Sequence, residues 1–127
     1  MTGVTYDAGA LIAAERDSES VWILHRELLA RDERPTLTAA VLGQAWRGGP
    51  QARLSRLLQG CLIEPLTEAR ARSAGAALAA SESSDLIDAV VVVAALERND
   101  MIVTSDPDDL RRIASALGRS VELYVPD

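Results

Sequence analysis

Asp88 heads the stretch Asp-Ala-Val-Val-Val-Val-Ala-Ala-Leu (Asp88–Leu96), the most apolar run of the chain. Burying an unpaired carboxylate costs several kcal/mol or forces it to take up a proton, so such a group persists only with compensation. The nearest basic residue in sequence, Arg98, lies beyond the end of the run, whereas another acid, Asp85, precedes Asp88 by three residues. Two acids on one helical face beside an apolar wall suit a cation better than a salt bridge. Asp7, Asp106 and Asp109 are the further candidates.

The elements that would carry these acids follow from periodicity and caps. Gly3–Tyr6 reads as an opening strand that ends at Asp7, with a short helix over Ala8–Ala14. Ser18–Asp32 reads as a longer helix with Val21, Trp22, Leu24, Leu28 and Leu29 at helical spacing, and Pro35–Leu37 as a second strand. Thr38 caps a helix that reaches Trp46 and is ended by Gly48-Gly49. Pro50–Gln59 is helical, Cys61–Glu64 a strand, and Thr67–Ala80 an alanine-rich helix. Ser84 is expected to cap the helix Asp85–Arg98; its acidic start and basic end outweigh the strand preference of four valines. Met101–Thr104 is a strand, Pro107–Leu117 a helix, and Val121–Val125 a closing strand.

Short apolar strands alternating with helices predict an α/β fold, a mainly parallel sheet covered on both faces. Sites in such sheets form at the carboxyl ends of strands, where Asp7 and Asp106 fall. Each acid also has a plainer use. Asp7 and Asp106 can cap helices, Asp85 suits a first helical turn, and Asp108 and Asp109 favour the helix dipole. Capping accounts for these acids one by one but not for Asp88 in its apolar setting. A shared set of oxygen ligands accounts for them together. Mg²⁺ and Mn²⁺ prefer carboxylates and water, and two such ions about 4 Å apart could activate a water and stabilise the leaving oxygen of a phosphodiester.

The chain has 127 residues, enough for a single domain over 1–127 with a real core, and is 48% hydrophobic. Its longest apolar run, Ala89–Leu96, is far short of a membrane span. No charged-then-apolar leader is evident, so a cytoplasmic protein is expected. Cys61 is the only cysteine, which excludes an internal disulfide and a cysteine-based zinc site; beside Leu62-Ile63 it reads as a buried thiol. The net charge is −6 and every basic residue other than His25 is arginine. Acidity argues against a protein that coats nucleic acid by charge alone, but not against an enzyme whose bound cations reverse the local sign. Without lysine there is no Schiff base and no phosphate-loop lysine.

The remaining candidates are few. His25, on a helix rich in surface residues, is expected to be solvated. Arg47 follows Gln44 by three positions and could hold a phosphate bidentately, or simply favour the helix end. Arg53 and Arg56 read as a solvated face or the rim of a groove, and Arg70 and Arg72 as a solvated face. Thr104 and Ser105 could hydrogen-bond a phosphate or orient Asp106. Trp22 and Trp46 read as packing residues.

Val4-Thr5-Tyr6-Asp7-Ala8-Gly9-Ala10-Leu11 resembles the opening strand and first acid of PIN-domain nucleases. Asp85-Leu86-Ile87-Asp88-Ala89 resembles their central acidic helix, and Ile102-Val103-Thr104-Ser105-Asp106-Pro107-Asp108-Asp109-Leu110 their late strand and Thr-x-Asp turn. Order and spacing match over essentially the whole chain. Val41–Gly49 further resembles a branch of the VapC toxins of bacterial toxin–antitoxin pairs.

The resemblance implies a three-layer α/β/α sandwich and a Mg²⁺- or Mn²⁺-dependent endoribonuclease, the toxin of a type II pair, cutting RNA phosphodiesters with metal-activated water. It implies metal ligation by Asp7, Asp88 and Asp106 with Asp85 or Asp109 in support, and a catalytic set completed by Gln44. It implies RNA as substrate, a cognate antitoxin as partner, and a homodimer; the apolar helix faces around Trp22 and Leu28 offer material for self-association or for the core. One departure stands out. Most family members carry glutamate where this chain has Gln44, and an amide can ligate through oxygen or orient water but adds no charge. The alternative is therefore a catalytically weak or inactive PIN-like scaffold that binds protein or RNA. Two other classes fail on single residues: a phosphorelay receiver needs a late-strand lysine, and a haloacid-dehalogenase-type phosphatase needs an aspartate where Gly9 stands.

Overall fold

Five short strands align in one direction to form a single sheet in the order β3-β2-β1-β4-β5, described over residues 3–127 in a computed structural model. β1 (Val4–Tyr6) lies at its centre, paired in parallel with β2 (Thr36–Thr38) and β4 (Met101–Val103). β3 (Leu62–Glu64) and β5 (Leu123–Tyr124) are the edges, also parallel. The sheet is thus wholly parallel. Every strand is shorter than its apolar stretch, because the flanking residues leave the ladder to start helices or turns.

α1 (Ala8–Glu15) packs on α2 (Glu19–Ala30), α3 (Ala39–Ala45) and α4 (Ala52–Gln59). α5 (Glu68–Ser81), α6 (Leu86–Arg98) and α7 (Pro107–Ala116) form a second group in mutual contact. The two groups cover the two faces of the sheet, a PIN-like three-layer α/β/α arrangement. Parallel neighbours need crossovers, and right-handed crossovers that leave β1 in opposite directions put their helices on opposite faces. Tyr6, Leu11, Leu37, Ile102, Leu110 and Val90 through Val92 are among the fully buried residues between the layers.

The valine run resolves as helix. Val90, Val91, Val92, Ala94 and Ala95 of α6 are all buried, so burial nearly all round overrides the β-branched strand preference. The cap falls one residue later than expected: Asp85, not Ser84, starts α6, its Oδ1 accepting from Asp88 N at 3.0 Å. α3 stops at Ala45, before the glycines, with Trp46 already extended. Trp46 stands 43% exposed, so only Trp22 packs: it donates Nε1 to Ala14 O at 3.0 Å and lies under the Arg56 guanidinium. Leu28 is fully buried as well, which places the Trp22–Leu28 face in the core rather than at a surface for self-association. Cys61 is buried as read from the sequence; burial pushes its thiol up to about 12, so it stays protonated. Among the described residues no helix is long and apolar enough to cross a membrane.

His25 is not solvated. It is 3% exposed, with Nδ1 at 2.9 Å from the buried Tyr6 hydroxyl and its ring edge-on to Trp22. Gly60 makes room for it: a Cβ there would stand 2.9 Å from Nε2. Burial holds the imidazole below its ordinary pKa. The folded protein therefore binds this proton less readily than the unfolded chain, and the stability His25 contributes is present above the unfolded value of about 6.5 and lost as pH falls through the folded one. Melting temperature is expected to drop between pH 7 and pH 5, and His25→Asn, which keeps a polar group near Tyr6 but cannot charge, to flatten that slope. Thermal melts of both proteins across this range check it; equal slopes would place the acid sensitivity elsewhere.

Candidate active site at the strand carboxyl ends

Strand order reverses between β1 and β4, because the chain leaves β1 toward β2 and β3 and returns on its other side. Such a switch point opens a crevice at the strand carboxyl ends. Asp7 follows β1 directly and Thr104-Ser105-Asp106 follow β4, so the topology brings both turns to the same crevice. The N-terminus of α6 supplies Asp85 and Asp88 to it.

Asp7 is held firmly. It is 6% exposed, and its backbone N–H donates to Val103 O at 2.9 Å. Oδ1 accepts from Ala8 N at 2.8 Å, the capping role expected of it, and Oδ2 accepts from Thr104 Oγ1 at 2.7 Å. Burial raises its pKa most; the Thr104 and Ala8 hydrogen bonds oppose that, and Asp106 and Asp85 add to it. Thr104 is itself fully buried, and its hydroxyl also accepts from Asp106 N at 3.0 Å. A hydroxyl used both ways and closed off from solvent does not meet a phosphate, so Thr104 is a positioning residue that ties Asp7 to the Asp106 turn. Ser105 is exposed and packs on Gly9, where a Cβ would collide with Ser105 Oγ and lie 2.7 Å from its N. Close approach of α1 to the β4 turn is what Gly9 permits.

Asp88 is half-buried, and its carboxyl is pushed up to about 7, first by burial and then by the charges of Asp85, Asp7, Asp109 and Asp106. The five aspartates thus act on one another through a common field. Asp106 heads α7 without making a side-chain cap bond, and Asp109 pairs with Arg112 at 3.5 Å. Among the described residues, Asp7, Asp85, Asp88 and Asp106 have no salt-bridge partner. Nor do any three acid, His or Cys side chains there converge into a preformed cage. Like charges without a counter-ion stay apart, and Mg²⁺ needs only one or two direct carboxylates while keeping several waters. Hard oxygen donors, mutual repulsion and no protein cation are a donor set that fits such an ion.

Two expected site residues lie elsewhere. Gln44 lines a cavity between α1, α3 and α4 whose lining includes none of the five aspartates. Arg47 turns back on its own helix end, donating to Trp46 O at 2.8 Å, Gln44 O at 2.6 Å and Gly43 O at 3.4 Å; its phosphate-holding fork is spent on carbonyls. Arg53 makes a loose pair with Asp17 at 3.6 Å, and it shares a cavity with Arg26, Arg56 and Trp22. Arg70 is not on a solvated face: it is tied to Glu64 and Glu97.

No protein-family model matches the sequence, and no curated protein matches it either. Solved structures do. The fold is similar to that of VapBC2 from Rickettsia felis bound to a DNA fragment from their promoter, with TM-score 0.75, 17% identity and 98% of each chain covered. It is also similar to FitAB bound to IR36 DNA fragment, with TM-score 0.66 and 14% identity over 96% of this chain and 94% of that one. PAE2754 from Pyrobaculum aerophilum follows with TM-score 0.63 and 13% identity over 95% and 89%. At these identities the likeness is one of fold, extending over nearly the whole length of each partner.

Proposed function

We propose that the chain is a Mg²⁺- or Mn²⁺-dependent endoribonuclease, the toxin of a type II toxin–antitoxin pair. The observation that carries this reading is the aspartate cluster at the switch point, with Asp88 pushed up to about 7 by four other acids and no protein cation to relieve it. Asp88 and Asp106 hold the ion together with Asp7, while Asp85 and Asp109 deepen the negative field. When bound, the ion supplies a water of lowered pKa and a Lewis acid for the phosphate oxygens. Thr104 fixes the Asp7 carboxylate and the Asp106 turn relative to each other, and the exposed Ser105 hydroxyl donates to a phosphate oxygen at the rim. RNA approaches a −6 chain only after the local sign is reversed by the cation.

The partner reading draws on the sequence resemblance and on the similar structures, two of which are assemblies on DNA. The acidic crevice attracts an arginine-bearing antitoxin segment, whose guanidinium would take the place of the cation among Asp7, Asp88 and Asp106. Pairing with a second copy of the chain belongs to the same reading. A second reading, a scaffold that does not cut, is favoured by the neutral Gln44 and by the absence of a preformed cage among the described residues.

The purified chain, incubated with single-stranded RNA of mixed sequence, is expected to cut it with Mn²⁺ or Mg²⁺ and to stop on adding EDTA. Co-expression with the product of an adjacent small gene should give a stable complex that is inactive. Absence of cutting with either metal, together with normal growth of cells when the chain is induced alone, favours the scaffold.

A further inference from the structure

Beside the crevice, α1, α3 and α4 enclose a cavity of about 250 Å³ with an apolar floor of Leu11, Ile12 and Leu54. Most of the polar groups around it are already engaged. Glu15 Oε2 accepts from Leu54 N at 2.7 Å. Gln51 accepts from Arg47 N at 2.8 Å and donates to Ala45 O at 2.9 Å, and the Arg47 guanidinium sits on the end of α3. Two lining groups remain. The Gln44 carboxamide makes no hydrogen bond among the described residues, since only its backbone carbonyl is engaged, and the exposed Arg16 has no acidic partner among them.

An apolar floor, one open planar amide and one open guanidinium are the complement of a nucleotide. The floor takes a flat base, the amide reads its edge and the guanidinium takes a phosphate oxygen. The cavity is smaller than the ~300–1,000 Å³ of pockets that enclose a whole ligand, which suits one base rather than a free cofactor. It is also continuous with the crevice through α1: Asp7 caps that helix and Leu11 lies one turn further on, about 6 Å along the axis. A strand whose phosphodiester lies at the acids has a neighbouring base at the distance of this cavity.

We propose that the cavity is a nucleobase subsite in which the Gln44 carboxamide reads the base edge and Arg16 takes the adjoining phosphate. An amide pairs in two places with the donor and acceptor of adenine, so adenine is the favoured base. This assignment rests on the RNA-cleaving reading and makes Gln44 a specificity-determining residue.

Two measurements test it independently of each other. Isotopically labelled protein, free of divalent metal, is titrated with AMP, GMP, CMP and UMP while the Gln44 side-chain amide and Ile12 methyl signals are followed. AMP is expected to shift both at the lowest concentration, and Gln44→Ala to weaken AMP about tenfold and to level the four nucleotides. In the second, RNA randomised around the scissile bond is cut with Mn²⁺. Gln44→Ala is expected to lose about tenfold of its adenine preference, and Gln44→Glu to turn toward cytosine, whose amino group a carboxylate accepts. If no nucleotide moves the Gln44 amide, or if Gln44→Glu keeps the base preference and instead tightens Mn²⁺ binding, the subsite is overturned. A chain that cuts no RNA yet shifts with AMP loses the nuclease reading and keeps the subsite.

Discussion

Asp88→Asn is expected to abolish metal-dependent cleavage and, in the metal-free protein, to raise the melting temperature. Both follow from one fact: the carboxyl of Asp88 meets a buried wall and the charges of Asp85, Asp7, Asp109 and Asp106. Asparagine keeps the shape and removes one negative charge from that crowd. Asp88 is half exposed, so solvent screening cuts the relief to on the order of 1 kcal/mol, a rise of about 4 °C for a domain of this size. The loss of rate should be far larger, on the order of a hundredfold or more, as when one preorganised charge-stabilising group is removed from a site. Mn²⁺ should stabilise the wild type by mass action and the variant much less. Thermal melts of both proteins with and without Mn²⁺, alongside RNA cleavage, give the answer. An equal Mn²⁺ shift in the two proteins would remove Asp88 from the site.

The acids of this crevice were legible because each sits where local chemistry changes, at the end of an apolar strand or the start of a helix. The parallel α/β architecture was legible for the same reason, since strand-length and helix-length apolar patterns alternate along the whole chain. The exact start of α6 was not: Ser84 and Asp85 are both good caps, and the choice of Asp85 depends on how the helix seats against the sheet. His25 was misread for a different reason. It lies four residues after Val21 and three before Leu28, on the buried face of α2, and that spacing was available; its polarity obscured it. Its partner, the Tyr6 hydroxyl, comes from another element, and no periodicity points there. Gln44 shows the limit of motif reading. Its place in the chain matches a catalytic position, while its cavity does not include the acids.

Arg98→Ala is expected to cost about 3–5 kcal/mol, a large part of the ~5–15 kcal/mol that holds a domain folded. Arg98 ends α6, some 20 Å of helix away from Asp85. Its guanidinium donates to Asp100 Oδ2 at 3.0 Å, Glu64 Oε2 at 2.7 Å and Thr5 Oγ1 at 2.9 Å, while Thr5 donates to the same Asp100 oxygen at 2.8 Å. Arg70 joins the network through Glu64 and Glu97. The side chain of Asp100 is only 6% exposed, so truncating Arg98 strands a buried charge, which costs more than the net worth of the pair. Arg98→Lys keeps the charge but cannot fork to three acceptors, and about 1–2 kcal/mol is expected there. Denaturant unfolding of the three proteins measures these costs. Because the network lies at the other end of α6, the Arg98→Lys protein should bind Mn²⁺ as the wild type does. A loss of Mn²⁺ affinity in that folded variant would show that α6 couples its two ends, and that the placing of Asp88 depends on how Arg98 anchors the helix.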